Sequence, residues 1–322
     1  MNTWRVSCSL ENLKARTALY QLIRAFFDAR DVLEVETPLL SISTATDPQL
    51  ESIGASVKTH LGHQDSPYYL QTSPEFPMKR LLASGSGAIY QICKTFRNGE
   101  TGRKHNPEFT MLEWYRPGFT LDCLMQELEC LVTEILSTSE AERLSYREAF
   151  LNYVQIDPFT ISDDALALKA RQLADYDGPE ISRDDYLNLI LGICIEPNLG
   201  VDRPCFLYEY PPSQASLAQV SVSSDGNLVA QRFELYIQGM ELANGYFELT
   251  DAEEQAKRFA QDNLERRQLN LPEIPPDKYL LAAMRHGLPV CSGVAVGLDR
   301  LLMLKVGESA IEKVLSFPIT RA

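Results

Sequence analysis

Two segments far apart in the chain constrain its fold and chemistry more than anything else in it. The first is Phe96-Arg97-Asn98-Gly99-Glu100-Thr101-Gly102-Arg103-Lys104-His105-Asn106-Pro107-Glu108-Phe109, which places arginines and an aromatic on a loop between apolar runs. The second, Gly293-Val294-Ala295-Val296-Gly297-Leu298-Asp299-Arg300, reads as a strand of small residues running into a helix with an arginine in its first turn. A guanidinium is planar, permanently charged and able to grip phosphate through two parallel hydrogen bonds. The pair therefore suits a nucleotide held over an antiparallel sheet, its phosphates met by arginine rather than by a glycine-rich loop.

At 322 residues the chain can bury a substantial core as one large domain or two ordinary ones. Its apolar fraction of 45% and charged fraction of 23% are those of a soluble globular protein. No run is apolar over the ~18 residues a membrane span needs, and the start MNTWRVSCSLENLKAR has no signal-peptide stretch. Seven cysteines without a CxxC pair read as reduced thiols of a cytoplasmic protein, and histidines do not cluster with them as zinc would require. The net charge of −14 speaks against tRNA or any nucleic acid as partner, because phosphate contacts dominate such affinity.

Leu19, Leu22, Ile23, Phe26 and Phe27 recur at helical spacing, which predicts a helix over 13–30, and Val32–Glu36 alternates as a strand up to Pro38. Leu121, Leu124, Met125, Leu128, Leu131, Val132 and Ile135 predict a second helix over 120–136. From 137 to about 205 the chain turns acidic and helical, with breaks such as Asp177-Gly178-Pro179, and is expected to be a helical insertion within one domain spanning 1–322.

Gln231–Ile237 and Met240–Leu249 flank Gln238-Gly239 as a hairpin with a two-residue turn. Simple pairing places 236 opposite 241 and 234 opposite 243, making Glu234 and Glu241 diagonal neighbours on one face. Two carboxylates that close repel unless a cation lies between them, and Mg²⁺ carried on ATP phosphates is the obvious candidate. A solvated sheet face would carry the same pattern, and the residues alone leave both open. Glu248 falls on the opposite face under strict alternation, and a bulge at Asn244-Gly245 would turn it back. Gly293, Ala295 and Gly297 share one strand face, leaving room for a flat adenylate.

These strings resemble motifs 2 and 3 of class II aminoacyl-tRNA synthetases, the lysyl enzymes most closely. Phe27–Pro38 is similar to motif 1, and Thr72-Ser73-Pro74-Glu75, Phe109–Tyr115 and Gly239–Leu249 match in the same order, so the resemblance covers roughly 10–320. It implies an α+β fold with a central antiparallel sheet flanked by helices, and a homodimer formed through motif 1. It implies ATP as co-substrate, with Arg97 bridging the α-phosphate and the substrate carboxylate, Phe109 stacking on adenine, and Arg300 on the terminal phosphate. Asn98, Gly99, Glu100, His105, Asn106, Glu241, Leu242 and Gly297 complete the implied ATP site, with Glu234 and Glu241 as Mg²⁺ ligands. Glu248 and Tyr115 are implied to hold the distal ammonium of the amino acid, and Glu75 the nearer amino group, within a wall of Ser73, Pro74, Asn244 and Ala295. In motif 2 the family pattern is Arg-x-Glu. Here Gly99 takes the acid's place and Glu100 follows, so either the acid has slipped by one or adenine is read through backbone groups.

Lysyl-tRNA synthetases carry glycine where Ala295 stands, and an OB-fold before motif 1 where this chain has about a dozen residues. The extra methyl should disfavour α-lysine. With the acidic charge and Glu-Leu-Ala-Asn-Gly-Tyr at 241–246, these features are similar to lysyl-synthetase paralogues that activate (R)-β-lysine and pass it to a lysine ε-amino group of elongation factor P. A lysyl-tRNA synthetase-like enzyme activating α-lysine and a catalytically inactive regulatory paralogue are the other readings the sequence admits.

Overall fold

The structure is a computed structural model and describes residues 4–58 and 67–322. In chain order its elements begin with α1 (Leu10–Asp28), β1 (Leu33–Glu34), β2 (Leu40–Ser41), β3 (Gly54–Ala55), β4 (Tyr68–Leu70), α2 (Glu75–Ala83), β5 (Ile89–Phe96) and β6 (Glu108–Pro117). They continue with α3 (Leu121–Leu136), β7 (Glu142–Ser145), α4 (Tyr146–Val154), α5 (Asp163–Ala174), α6 (Arg183–Ile190), β8 (Cys205–Tyr210), β9 (Val220–Val222), β10 (Leu228–Ile237) and β11 (Met240–Phe247). The last are α7 (Ala252–Gln268), α8 (Lys278–Gly287), β12 (Cys291–Gly297) and α9 (Leu298–Val306). The chain divides into two compact units, one of residues 1–119 with 250–322 and one of residues 120–249.

The first unit is built on the sheet β1-β5-β6-β12, in which β1 lies parallel to β5 and the other neighbours are antiparallel. α1 is capped by the Ser9 hydroxyl, which accepts the Asn12 N–H, and it buries Leu19, Ile23, Phe26 and Phe27 as the periodicity predicts. Phe27 stacks on Tyr90 of β5 at 4.4 Å and meets Trp114 of β6 edge-on at 5.3 Å, which seats the helix on the sheet. The strand expected over 32–36 is β1, continued by the Val35 N–H donating to the Tyr90 carbonyl. Strands β2, β3 and β4 form a small separate sheet, and α2 packs on α8.

The second unit carries the sheet β11-β10-β8-β7, with β9 also paired to β10. α3 spans the predicted helix and is capped by the Thr120 hydroxyl. Residues 137–205 hold α4, α5 and α6, and also β7, which runs parallel to β8. Their core packs Tyr146, Phe150, Leu166, Tyr186 and Ile190 around Tyr210 and Tyr236 of the sheet. Both units combine mostly antiparallel sheet with helices, so the fold class is α+β, as expected. Among the described residues no helix is long and apolar enough to cross a membrane.

Candidate active site

In the first unit, strand register decides which side chains share a face. Ala295 stands opposite Glu113, Gly293 opposite Tyr115 and Gly297 opposite Met111, while Glu113 faces Gln91 and Phe109 faces Thr95 on the other side. Residues on alternate strand positions point the same way, so Phe109, Glu113, Tyr115, Gly293, Ala295 and Gly297 line one surface. Arg97 continues β5 through its N–H to the Pro107 carbonyl, and its guanidinium lies 5.2 Å from the Phe109 ring centre. The predicted nucleotide arginine and its stacking aromatic are therefore neighbours.

Glu113, not singled out in the sequence, is the most perturbed acid of this surface. It is buried, with Oε2 accepting from the Ser73 hydroxyl at 2.8 Å and Oε1 from the Tyr115 hydroxyl at 2.7 Å. Burial first, and the Glu75 carboxylate second, push its carboxyl up to about 8. Glu75 opens α2 and pairs with Lys79 at 2.5 Å, and its own N–H donates to the Ser73 hydroxyl at 3.0 Å. Ser73, Glu75, Glu113 and Tyr115 thus form one hydrogen-bonded wall, with Pro74 at the N-cap of α2.

The loop after β5 turns at Gly99. Gly99 adopts φ +76°, a left-handed conformation that favours glycine, and Glu100 just beyond it lies 3.5 Å from Arg97. The acid that follows Gly99 therefore meets the arginine. Asn98 is tied to Glu51 through its side chain at 2.7 Å, and Asn106 is buried, donating to the Glu108 carbonyl and accepting the Ile319 N–H. His105 lies 2.6 Å from Arg300 through its Nε2, and partial burial followed by the Arg300 charge pushes the imidazole below its usual value. A neutral ring that accepts from Arg300 follows, so the arginine is already oriented. Behind it Asp299, also buried, accepts the Thr110 N–H at 2.6 Å and pairs with Arg16 of α1 at 2.5 Å.

In the second unit the hairpin turn falls at Gln238-Gly239, both with positive φ, as the sequence predicts. The pairing beyond it corrects the expected register. Tyr236 faces Glu241 and Leu235 faces Ala243, so the extra residue is Leu242, and Glu234 lies opposite Asn244 rather than 243. The bulge sits there, not at Asn244-Gly245, because Leu242 and Ala243 are consecutive apolar residues that are both buried. It has the effect foreseen for the other position: Glu234, Glu241, Asn244 and Glu248 now share one face, with Arg232 and Tyr246. Leu242 itself keeps its side chain in the core.

Glu234 is held from both sides. Arg232 donates to Oε1 and the Tyr236 hydroxyl to Oε2, each at 2.5 Å. Arg232 is enclosed beneath Tyr210, whose ring centre lies 4.5 Å away, and donates to the Gln214 carbonyl. Glu248 is buried beside its bridge to Ala218.

A model of tRNA synthetases class II (D, K and N) matches residues 2–321. The chain belongs to the class II tRNA synthetases. Among its relatives in this family it is 50% identical to the elongation factor P--(R)-beta-lysine ligase of Pseudoalteromonas translucida, the match covering 100% of this chain and 99% of that one. It is 47% identical to the protein of the same name from Yersinia enterocolitica and 48% to that from Proteus mirabilis, each over 99% of this chain and 98% of the relative.

On the hairpin face of the second unit, the carboxylates Glu234 and Glu241 offer hard oxygen donors, which suit a hard cation. A carboxylate offers about four lone-pair sites, so Glu234 keeps acceptor capacity after meeting Arg232 and Tyr236. Those two partners fix the orientation of its carboxylate. Lys79, Glu113, Arg232 and Tyr236 were not foreseen. For Lys79 the spacing from Glu75, one helical turn, was the available signal.

Proposed function

We propose that the protein uses ATP to activate (R)-β-lysine and passes the β-lysyl group to a lysine ε-amino group of elongation factor P. The observation that carries this reading is Ala295 in register with Glu113: the methyl stands beside the acidic wall where lysyl-tRNA synthetases have glycine. Near full-length identity to relatives bearing that ligase name supports it.

In the first step a carboxylate oxygen of β-lysine attacks the α-phosphorus, a P–O bond forms and pyrophosphate leaves. Arg97 meets the charge that grows at the α-phosphate, Phe109 holds adenine, and Arg300 holds the terminal phosphate. In the second step the neutral ε-amine of the acceptor attacks the adenylate carbonyl. An amide forms, the C–O bond to AMP breaks with its electrons, and the amine loses a proton. No side chain acts as nucleophile, and rate comes from position and charge.

Glu75 and Glu113 take the amino group nearer the carboxylate, with Ser73 and Pro74 shaping that wall; Tyr115, expected at the distal ammonium, donates to Glu113 instead and so joins this wall. Glu248 takes the distal ammonium and Asn244 lies on its face. A carboxylate withdrawn from water rejects an uncharged analogue that would leave it unpaired. Asn98, Gly99, Glu100, His105, Asn106, Leu242 and Gly297 frame the nucleotide. Glu234 and Glu241 are the residues that would hold Mg²⁺, which neutralises phosphate charge when bound. The enzyme acts in the cytoplasm on a protein acceptor rather than tRNA, as a homodimer through α1 and β1 and as a single catalytic domain.

ATP–pyrophosphate exchange with (R)-β-lysine, α-lysine and no amino acid tests the reading. Exchange strongest with the β form is expected. Preference for α-lysine, or no amino-acid-dependent exchange, overturns it.

A further inference from the structure

The wall formed by Ser73, Glu75, Glu113 and Tyr115 contains a cation of its own. Lys79 follows Glu75 by one turn of α2, and its side chain is 1% exposed. A buried lysine is stable only where its charge is met, and here its ammonium lies 2.5 Å from Glu75 Oε1. Glu75 is joined through Ser73 to Glu113, since the Ser73 hydroxyl accepts the Glu75 N–H and donates to Glu113. The Ser73 hydroxyl thus links the Glu113 carboxylate to the backbone of Glu75, while the Lys79 ammonium holds the Glu75 carboxylate itself. Once pH rises past the Glu113 value of about 8 both acids are ionised, and Glu75, Glu113 and Lys79 then sum to one negative charge.

We infer that Lys79 is a specificity-determining positioning residue: its ammonium pins the Glu75 carboxylate and leaves this wall the charge to accept one substrate ammonium. The inference rests on the reading above, that the wall receives the amino group nearer the substrate carboxylate. Pinning matters because a glutamate side chain free to rotate loses its alignment with the amine, whereas one held in an ion pair inside the protein does not. The count matters because two unneutralised carboxylates in so dry a place would take up a proton or a stray cation before they met substrate. Lys79 itself touches neither ATP nor the reacting atoms in this account.

The test is pyrophosphate exchange by the full chain and by Lys79→Met, which keeps the length of the side chain and removes its charge. The expected result is a KM for (R)-β-lysine raised about 10- to 100-fold, the range for losing a hydrogen bond to a charged group, with kcat and the KM for ATP little changed. Lys79→Ala should show the same split and recover when propylammonium is added, because that ion restores both the volume and the charge; wild type should gain nothing from it. An unchanged amino-acid KM in Lys79→Met, while wild type exchanges normally, overturns the inference alone. Parallel loss of both KM values and kcat, with no rescue of Lys79→Ala, marks Lys79 as merely structural and also overturns it. Absence of β-lysine-dependent exchange in wild type removes the functional reading and the inference with it.

Discussion

Replacing Arg16 by methionine probes how Arg300 is held. Arg16 sits on α1, and Asp299 immediately precedes Arg300 at the start of α9. Burial disfavours the Arg16 charge, yet the Asp299 carboxylate and the Tyr20 hydroxyl together more than offset this and raise its affinity for the proton. Asp299 is 1% exposed and accepts the Thr110 backbone N–H as well, so the pair ties α1, β6 and α9 at one point. Removing one partner of a buried pair leaves an uncompensated charge and costs about 3–5 kcal/mol. Arg16 retains 17% exposure, which places the expected loss at the lower end, about 3 kcal/mol. At roughly 2 °C per kcal/mol for a chain of this size, the melting temperature should fall by about 6 °C. Arg16→Met/Asp299→Asn should regain most of that, because the amide is neutral and still accepts the Thr110 N–H. With the start of α9 loosened, the KM for ATP in pyrophosphate exchange should rise about tenfold in the single variant, equivalent to about 1.4 kcal/mol. An unchanged melting temperature in Arg16→Met, or a double variant no better than the single one, would refute the argument that this ion pair anchors Arg300.

The Glu113 carboxyl, pushed up to about 8, gives a pH dependence with a definite sign. A substrate ammonium needs the ionised form, so the KM for the amino acid should fall as pH rises towards 8. Stability runs the other way, because a folded-state value raised above the unfolded one contributes stability at acid pH that is lost between the ordinary carboxylate range and about 8. Glu113→Gln should flatten both profiles, and an unaltered KM profile would remove Glu113 from the wall. Arg300→Ala should weaken ATP use sharply in exchange assays, by 10²-fold or more on the scale of a lost phosphate contact, and a normal rate would take it out of the site. Ala295→Gly should shift the ratio of α-lysine to (R)-β-lysine use towards the α form, and an unchanged ratio would defeat the steric argument. Gly200 has φ +68°, and a Cβ there would collide with the Tyr236 carbonyl, so Gly200→Ala should cost about 2–4 kcal/mol in thermal unfolding.

What could be read in the sequence was whatever a short periodic pattern or a turn residue encodes. The apolar spacing of α1 and α3 and the Gln238-Gly239 turn emerged within a few residues of where they lie. The position of the bulge did not, because bulging at Leu242 satisfies burial of two adjacent apolar residues, a demand set by what packs on the hairpin rather than by the hairpin itself. β7 was hidden for a related reason. Glu142-Arg143-Leu144-Ser145 has the charged composition of a solvated edge and becomes a strand only because β8 offers it a ladder. Glu113 lay unnoticed between Leu112 and Trp114 since a run buried on both faces shows no alternation to mark its one acid.

The same contrast explains why the net charge of −14 says little about the site. Electrostatic work inside the protein is settled pair by pair at short range, and screening removes distant charges within about 10 Å. Glu75 has Lys79, Glu234 has Arg232 and Asp299 has Arg16, each within 2.5 Å and each largely out of water. Every one of those cations lies within a few residues of the acid it serves or on a helix packed against it, so none contributes to a basic surface. Arg97 and Arg300 remain partly exposed on the surface read as the nucleotide site. An acidic exterior that discourages polyanions and an interior that neutralises its own carboxylates are therefore compatible with binding a triphosphate, because two oriented guanidinium groups suffice for an anion that small. On this account a lysine introduced on the exterior, away from the motif 2 loop, should leave the KM for ATP unchanged, whereas the rise caused by the loss of Arg16 should not be offset by any number of surface cations.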